Sequence, residues 1–593
     1  MSIETAAQTV TLIAPVTKGK AVREFRIEAV LCALGVVVCE LISKPFTTMS
    51  ICDDGPYIRM AHTFANTGHI VYNGWGAALM AAQLCIAAVF IKLFGFSATC
   101  VRMSTLLLAA VTAFVFHRTL VRTGGSGRNA TLATLAVVLS PLYLMLSVTF
   151  MTDIAGLFAT TLCLYGCVRA IEASSDRSAI GWVCFAVLTC AVFGTSRQIA
   201  WLGDIVMVPC ALWLLRARRR VLLPGLAATA ISFLFILGCM HWLARQPYAV
   251  PVPLIVRPFP LRVALLQLSL ILLEIPFLVF PVIALFVPGI FKTKRYVGYL
   301  LLAVLVAYVA IAFHWRKELE PLIRLEPTAA SAGSFVNVSG VFSGLAGIPD
   351  FLHTKPRVIL TALCIAGLLG VIAVAFQAGT AKSAPLTAGS GPTWKQLGVL
   401  LLPFSVAYLV LLGATVGTTY NIYDRYALNL LGPAMIVLVR LYQERMQPHL
   451  SLASVPLVAI TCVYGIFVTH NTFALDRARV DLANEIHASG VPFTAIDGSW
   501  DYNFDTELDI ATHLNNRLLK VPANGYIPPP PQPADDCLAT WYAYTPHIHA
   551  LYGVSLFRDI CYGEAPFAPV QYRPWPLRKP INLYAVRYLP PGR

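Results

Sequence analysis

The chain has 593 residues, of which 57% are hydrophobic and 12% charged, with a mean hydropathy of +0.70. Soluble domains carry roughly 25% charged residues, so this composition excludes an ordinary water-soluble protein and indicates a polytopic membrane protein. The net charge of +15 does not point to nucleic acid. Its Lys and Arg residues form short clusters between apolar runs, which reports topology, and not one basic face.

Lys18, Lys20, Arg23 and Arg26 precede the first apolar run and mark residues 1–28 as cytoplasmic, with no cleavage pattern after the run. Span one, near 29–44, leads out to a loop holding Asp53 and Asp54. The apolar stretch Ala77 to Phe94 is read as a helix in the outer interface, because counting it as a crossing puts later arginine clusters on the wrong face. Span two then runs in from Met103 to Arg118, Arg122 and Arg128, and span three returns to Ser147, leaving Asp153 outside. Span four enters at Arg169 and Arg177, five exits at Ser196-Arg197-Gln198, and six enters at Arg216 to Arg220. Seven exits near His241, eight enters at Lys292 to Arg295 and nine exits near His314. After an external loop 314–356, ten enters, eleven exits near Val416, twelve enters at Arg440 to Arg445 and thirteen exits near His470. The prediction is an all-α membrane protein of about thirteen transmembrane helices, with the membrane domain at 29–470 and its first external loop at 45–102.

Residues 471–593 change composition and read as a small external α/β domain. Asp476 to Ser489 has helical spacing, and Val491 to Ile496 reads as a buried strand ending at Asp497. Pro528 to Pro531 reads as a stiff linker or surface loop. Cys537 and Cys561 are the cysteines of this domain and pair only if the compartment oxidises thiols. The remaining cysteines, such as Cys32, Cys163, Cys190 and Cys462, lie in apolar runs as small hydrophobes. The chain contains no P-loop and no GxGxxG, which argues against a nucleotide-driven pump.

Two adjacent carboxylates at the mouth of a membrane helix are costly near low dielectric, so Asp53 and Asp54 form a functional hypothesis; the plainer reading is a solvated acidic loop. The topology puts Asp53, Asp54, Asp153, Arg197 and Tyr423-Asp-Arg-Tyr426 on one face of the membrane. Glu274, beside Pro276 in a span, either lines a cavity or pairs with another helix. Asn129-Ala-Thr131 and Asn337-Val-Ser339 match the glycosylation pattern; the first falls on the cytoplasmic side, where chance explains it.

The run Asp53-Asp54-Gly-Pro-Tyr57-Ile-Arg-Met-Ala61, followed by Gly68, Phe94-Gly95 and Arg102, resembles the membrane glycosyltransferases of the C superfamily. It is similar in particular to the bacterial relatives of dolichyl-phosphate-mannose protein mannosyltransferases and of the lipid A aminoarabinose transferase. Ser140-Pro141 with Met151-Thr152-Asp153 resembles their second external loop, and Tyr423 to Leu428 a late Arg-Tyr motif. The resemblance covers the first 200 or so residues well and the spans to 470 loosely. Asp54, where Glu is commoner, and the C-terminal domain depart from the pattern.

The resemblance implies sugar transfer from a polyprenyl-phosphate carrier to a glycan, glycolipid or protein acceptor at the outer face of the bacterial inner membrane. Catalysis is then expected from Asp53 as general base, with Asp54 raising the pKa of its neighbour and Asp153 contacting the acceptor. Tyr57 and Arg59 follow on the same loop as substrate contacts. Arg197 and Arg425, with Tyr423, are the candidates for the leaving phosphate, because a guanidinium binds phosphate bidentately. For Tyr57 the plainer role is interfacial packing, for Asp153 a helix cap, and for both arginines lipid headgroup binding. No metal or other cofactor is expected to be required, although the three aspartates have the chemistry of a divalent-ion site. His62 and His69 read as loop donors. The competing readings are a lipid or solute transporter and a noncatalytic envelope assembly subunit.

Overall fold

The computed structural model describes residues 18–51, 53–251, 259–292, 298–304, 306, 354–380, 391–419, 423–529, 542–556, 562–576 and 579–588. Most of the expected loop 314–356, Asn337, Pro530 and Pro531, Cys537 and Cys561 lie outside them. Among the described residues, eight helices are long and apolar enough to cross a membrane, or nine if one bent pair counts as a span. The chain is a multi-pass membrane protein, and among the described residues fewer crossings are seen than the roughly thirteen expected, most of the expected span that ends near His314 lying outside them.

Helix α1 (Lys18–Ser43) contains the first expected span, α2 (Asp54–Thr67) follows the acidic pair, and α3 (Ala81–Phe94) is 14 residues long. Fourteen residues rise about 21 Å, short of the roughly 30 Å hydrocarbon core, which agrees with α3 not being a crossing. Spans two, four and five are α4 (Ala98–Arg122), α7 (Thr152–Glu172) and α8 (Asp176–Gly194).

Span three was expected as one crossing and is instead α5 (Gly127–Val138) and α6 (Pro141–Ser147), bent by 68°. Ser140 caps α6 by accepting the Tyr143 N–H, and Pro141, at its first position, has no N–H with which to continue α5. Span six is also irregular: a 3-10 turn Gln198–Trp201, a π turn Gly203–Met207 and α9 (Val208–Leu214). Then come α10 (Arg219–Leu243), α11 (Leu261–Leu278), α12 (Phe280–Ile283) running into a 3-10 segment, α13 (Thr354–Thr380) and α14 (Trp394–Thr419). A 3-10 turn, Asp424–Ala427, leads into α15 (Leu428–Arg445).

The last helix, α16, runs unbroken from Ser454 to Ala488, so the expected division at 470/471 falls inside one helix of 35 residues. Its far end presents Leu475, Ala478, Leu482, Ala483 and Ile486 to a small sheet. The strands are β1 (Ile496–Asp497), β2 (Tyr552–Ser555), β3 (Tyr562–Glu564), β4 (Val570–Tyr572) and β5 (Ile581–Tyr588), with α17 (Trp500–Ala511) between β1 and β2. The order is β1-β2-β5-β3, with β4 also paired to β5; β1 and β2 are parallel and the other pairs antiparallel. The expected strand Val491 to Ile496 is mostly a 3-10 turn, Phe493–Ala495, and only Ile496 and Asp497 pair. Met49, from the loop after α1, is buried in the same core as the sheet, so that loop and the C-terminal unit share one hydrophobic cluster.

Candidate active site

Asp53 stands just before the first residue of α2, where Pro56 in the first turn needs no amide hydrogen and Gly68, at φ +72°, ends the helix by donating its N–H to the Phe64 carbonyl. Its carboxylate forms an ion pair with Arg425 Nη2 at 3.2 Å, across 372 positions of sequence. Burial pushes the Asp53 carboxyl up. Arg425 pulls it partly back, and Asp153 and Asp54 add to the rise.

Asp153, in the first turn of α7, pairs with Arg197 at 2.8 Å, and Arg197 also donates to Thr152 Oγ1 at 2.9 Å. Asp153 is therefore not a helix cap; Met151 holds the cap position. Arg197 lies along α7 where Gly156 has no side chain: a Cβ there would come within 2.7 Å of Arg197 Cδ. Tyr426 joins the two ion pairs, its ring lying 5.0 Å from the Arg197 guanidinium and 5.7 Å from that of Arg425. Tyr423 covers Arg425 from 4.7 Å. Such cation–π contacts hold guanidinium groups in place without neutralising them.

Three other elements fix this geometry. Tyr408 on α14 donates to the Tyr426 carbonyl at 2.8 Å, and Asn429 donates to Tyr408 at 3.1 Å while accepting from Thr160 on α7. The start of α3 docks on both loops that carry the Asp153–Arg197 pair. The Met80 N–H reaches the Thr195 carbonyl, the Ala82 and Gln83 N–H groups reach the Thr195 and Ser196 hydroxyls, and the Gln83 amide reaches the Phe150 and Met151 carbonyls. Met80 holds φ +66° to make this turn, a strained conformation for a residue with a side chain. Glu274 on α11 is buried and near enough to Asp424, next to Arg425, to feel its charge.

Six expected residues therefore meet in one cluster, the candidate cleft of the protein: Asp53, Tyr57, Asp153, Arg197, Tyr423 and Arg425. Tyr57 is within electrostatic reach of Asp53, Arg425, Asp153 and Arg197, and burial followed by the Asp53 charge pushes its phenol up, keeping it protonated. Two expected residues are placed elsewhere. Asp54 is fully buried against Arg102, which bonds both carboxylate oxygens at 2.7 and 3.1 Å, and it also accepts the Ile51 and Phe150 N–H groups. With four donors on two oxygens, Asp54 is a structural anchor and is not available to a substrate or to an ion shared with Asp53. Arg59 points into the C-terminal unit, where it pairs with Asp509 and donates to the Asp505 carbonyl. His62 stacks on Phe96, and Asn129 is buried in bonds to Gln443 and Pro448.

Sequence reasoning did not assign roles to Tyr426, Tyr408 or Asn429. For Arg102 the signal was present: an arginine inside an apolar helix requires a buried partner.

The arrangement defines a class before it suggests a protein. A multi-pass membrane protein carries, at the end of its bundle that bears the C-terminal unit, a cleft of two aspartates, two arginines and three tyrosines. Comparison with protein-family profiles and with curated proteins finds no match. Among solved structures, the chain is similar to ArnT from Cupriavidus metallidurans in the apo state, at 15% identity and TM-score 0.33, covering 79% of this chain and 82% of that one. It is also similar to the oligosaccharyltransferase AglB from Archaeoglobus fulgidus, in complex with an inhibitory peptide and a dolichol-phosphate, at 13% identity and TM-score 0.38, covering 77% and 59%. A third is the S. cerevisiae protein O-mannosyltransferase complex Pmt1–Pmt2 bound to the sugar donor, at 13% identity and TM-score 0.30. There the match covers 37% of this chain and about a third, 33%, of the yeast chain. At these levels of similarity, the function of the chain rests on its own cleft.

Proposed function

We propose that the chain is an integral-membrane glycosyltransferase that moves a sugar from a polyprenyl-phosphate donor to a hydroxyl or similar group of an acceptor. The observation that carries this reading is the pairing of Asp53 with Arg425, 3.2 Å apart, beside a second pair made by Asp153 and Arg197. A base and a phosphate-binding cation in contact are what an acceptor and a leaving phosphate need at one anomeric carbon.

In this reading Asp53 removes the acceptor proton as the acceptor oxygen bonds to the anomeric carbon. The bond from that carbon to the phosphate oxygen breaks, and the polyprenyl phosphate leaves with the electron pair. Arriving donor phosphate displaces the Asp53 carboxylate from Arg425, so the donor itself frees the base. Arg197 supplies the second positive charge and Asp153 keeps it in place. Tyr57, held protonated, donates to the acceptor or to the sugar. No step requires a metal ion. The topology from charge supports placing the site and the C-terminal unit outside the cytoplasm, and the bacterial inner membrane is the location that the resemblance of the sequence implies.

The test is mass spectrometry of envelope glycans and glycolipids from a deletion strain complemented with wild type or with Asp53→Asn, at equal membrane levels of protein. Loss of one sugar modification with Asp53→Asn is expected and would also identify the acceptor. Full rescue would overturn the assignment.

A further inference from the structure

One set of buried polar groups lies outside the cleft and outside the transfer chemistry. Cys163 on α7, Cys190 on α8 and Asp204 on the π turn each offer a ligand atom, and these atoms lie within 4.8 Å of one another. Exposure of the three is 0%, 0% and 2%. The backbone of the π turn presses on the thiols, since a Cβ on Gly203 would fall 2.6 Å from Cys190 Sγ and 2.9 Å from Cys163 Sγ. Single π turns recur where a helix is adapted to a site.

Small cysteines in an apolar core need no explanation, and Cys190 donates to the Ala200 carbonyl at 3.1 Å. The carboxylate does need one. Asp204 Oδ2 accepts from Ser232 Oγ at 2.7 Å, whereas Oδ1 is buried and makes no hydrogen bond of normal geometry among the described residues, the Cys190 thiol being the weak donor within reach of the carboxylate. A buried carboxylate oxygen whose donor is only a weak thiol is costly to keep ionised, and a cation between it and the two sulfurs would satisfy all three groups at once.

We infer that Cys163, Cys190 and Asp204 form a structural site for a thiophilic divalent cation of the zinc type. Two sulfurs and one carboxylate oxygen suit borderline Zn²⁺; Cu(I) selects sulfur alone, and Mg²⁺ or Ca²⁺ oxygen alone. Binding displaces the two thiol protons, and the cation offsets the charge of the ligands that it deprotonates. Ser232 orients the carboxylate from behind, as outer partners of metal ligands do. Cys167, one turn from Cys163 on α7, lies within hydrogen-bond reach of its thiol. Along α7 the site lies ten residues, about 15 Å, from Asp153. It therefore sits below the cleft and clamps α7, α8 and the π turn, the elements that flank the Arg197 loop.

The test uses full-length protein without a polyhistidine tag, extracted in detergent under reducing conditions, loaded with Zn²⁺, desalted and assayed for zinc by mass spectrometry. About one zinc per chain is expected for wild type, falling at least tenfold in Cys163→Ala/Cys190→Ala and in the near-isosteric Asp204→Asn. Wild type loaded with Co²⁺ should show strong thiolate-to-cobalt absorption in the near ultraviolet. Zinc that washes out of wild type, equal zinc in the variants, or a cobalt spectrum without that band would overturn the site. If the double variant does not fold, the near-isosteric Asp204→Asn still decides the matter, because an unchanged zinc content there overturns the site, and none of these readouts depends on glycosyl transfer.

Discussion

Asp53 and Asp54 are neighbours in sequence with opposite surroundings: one faces a cleft and a single guanidinium, the other is sealed under four donors. Replacing Asp53 with Asn should leave the membrane level of the protein unchanged and lower transfer by roughly 10²- to 10⁴-fold, the usual worth of a general base. The pH profile follows from the raised Asp53 carboxyl. A base works only when deprotonated, so activity should fall on acidification through a midpoint above the ordinary carboxylate value of about 3.9. Because Arg425 opposes that rise, Arg425→Gln should move the acid limb to higher pH, a shift readable as kcat/KM against pH at saturating acceptor. The linkage has the matching sign: a carboxyl raised in the folded state costs stability once pH exceeds the unfolded value, and the cost is relieved by protonation. Asp54 belongs to a different category. Asp54→Leu strands Arg102 in a site with no exposure, which should cost about 3–5 kcal/mol, seen as a lower melting temperature in detergent. Adding Arg102→Met should recover much of that loss, because the stranded charge is what costs most.

Long-range pairing was the least legible feature of the sequence. Hydropathy located α4, α7 and α8 well, and the placement of Asp53, Asp153, Arg197 and Arg425 on one face came from alternating charge. The bend between α5 and α6 was missed although Ser140-Pro141 spells a helix start, because a hydropathy window sums across it. Nothing in the sequence could pair Asp53 with Arg425, or distinguish it from Asp54, because those choices depend on which helices pack together. Gly156 shows how an element enforces such a choice. As a glycine on α7 it gives Arg197 room to lie against the helix, with a Cβ position 2.7 Å from Arg197 Cδ and 3.2 Å from its Cβ. Gly156→Ala should displace the guanidinium and raise the KM for the lipid-linked donor roughly tenfold, about the value of one charge-assisted hydrogen bond. Alanine favours the helix by about 1 kcal/mol, which offsets part of the cost of disturbing the buried Asp153–Arg197 pair, so a small fall in melting temperature beside a large rise in KM marks a misplaced arginine and not a weakened fold.

At the scale of the whole molecule, the C-terminal unit is the backing of the loop that carries Asp53. Composition made it look like a separate soluble domain, since an amphipathic helix that continues a span shows only as a rise in polar residues. In the fold, α16 runs unbroken into it, and it grips the loop after α1 at several points. Thr47 donates to Asp476 at 2.8 Å, Arg477 donates to the Lys44 and Phe46 carbonyls, and Ser50 donates to Asp505 through its hydroxyl and its N–H. Behind these, the buried Arg479 is bound between Asp476 and Asp501. Gly55 lets the contact close, because a Cβ there would lie 2.1 Å from Ser50 Oγ. The Asp505 tie therefore positions the backbone three residues from Asp53, while both arginines of the cleft come from other elements. Asp505→Ala should loosen 47–56, seen as faster hydrogen exchange, and lower kcat roughly tenfold with donor KM nearly unchanged. Asp509→Ala is the matched control: its pair with Arg59 is largely solvated, with side chains 39% and 61% exposed, and such pairs contribute about 0–1 kcal/mol. It should leave exchange and kcat close to wild type. Equal effects from the two variants would mean that the unit acts as a general support for the fold; an effect confined to Asp505 would make the tail a working part of the active site.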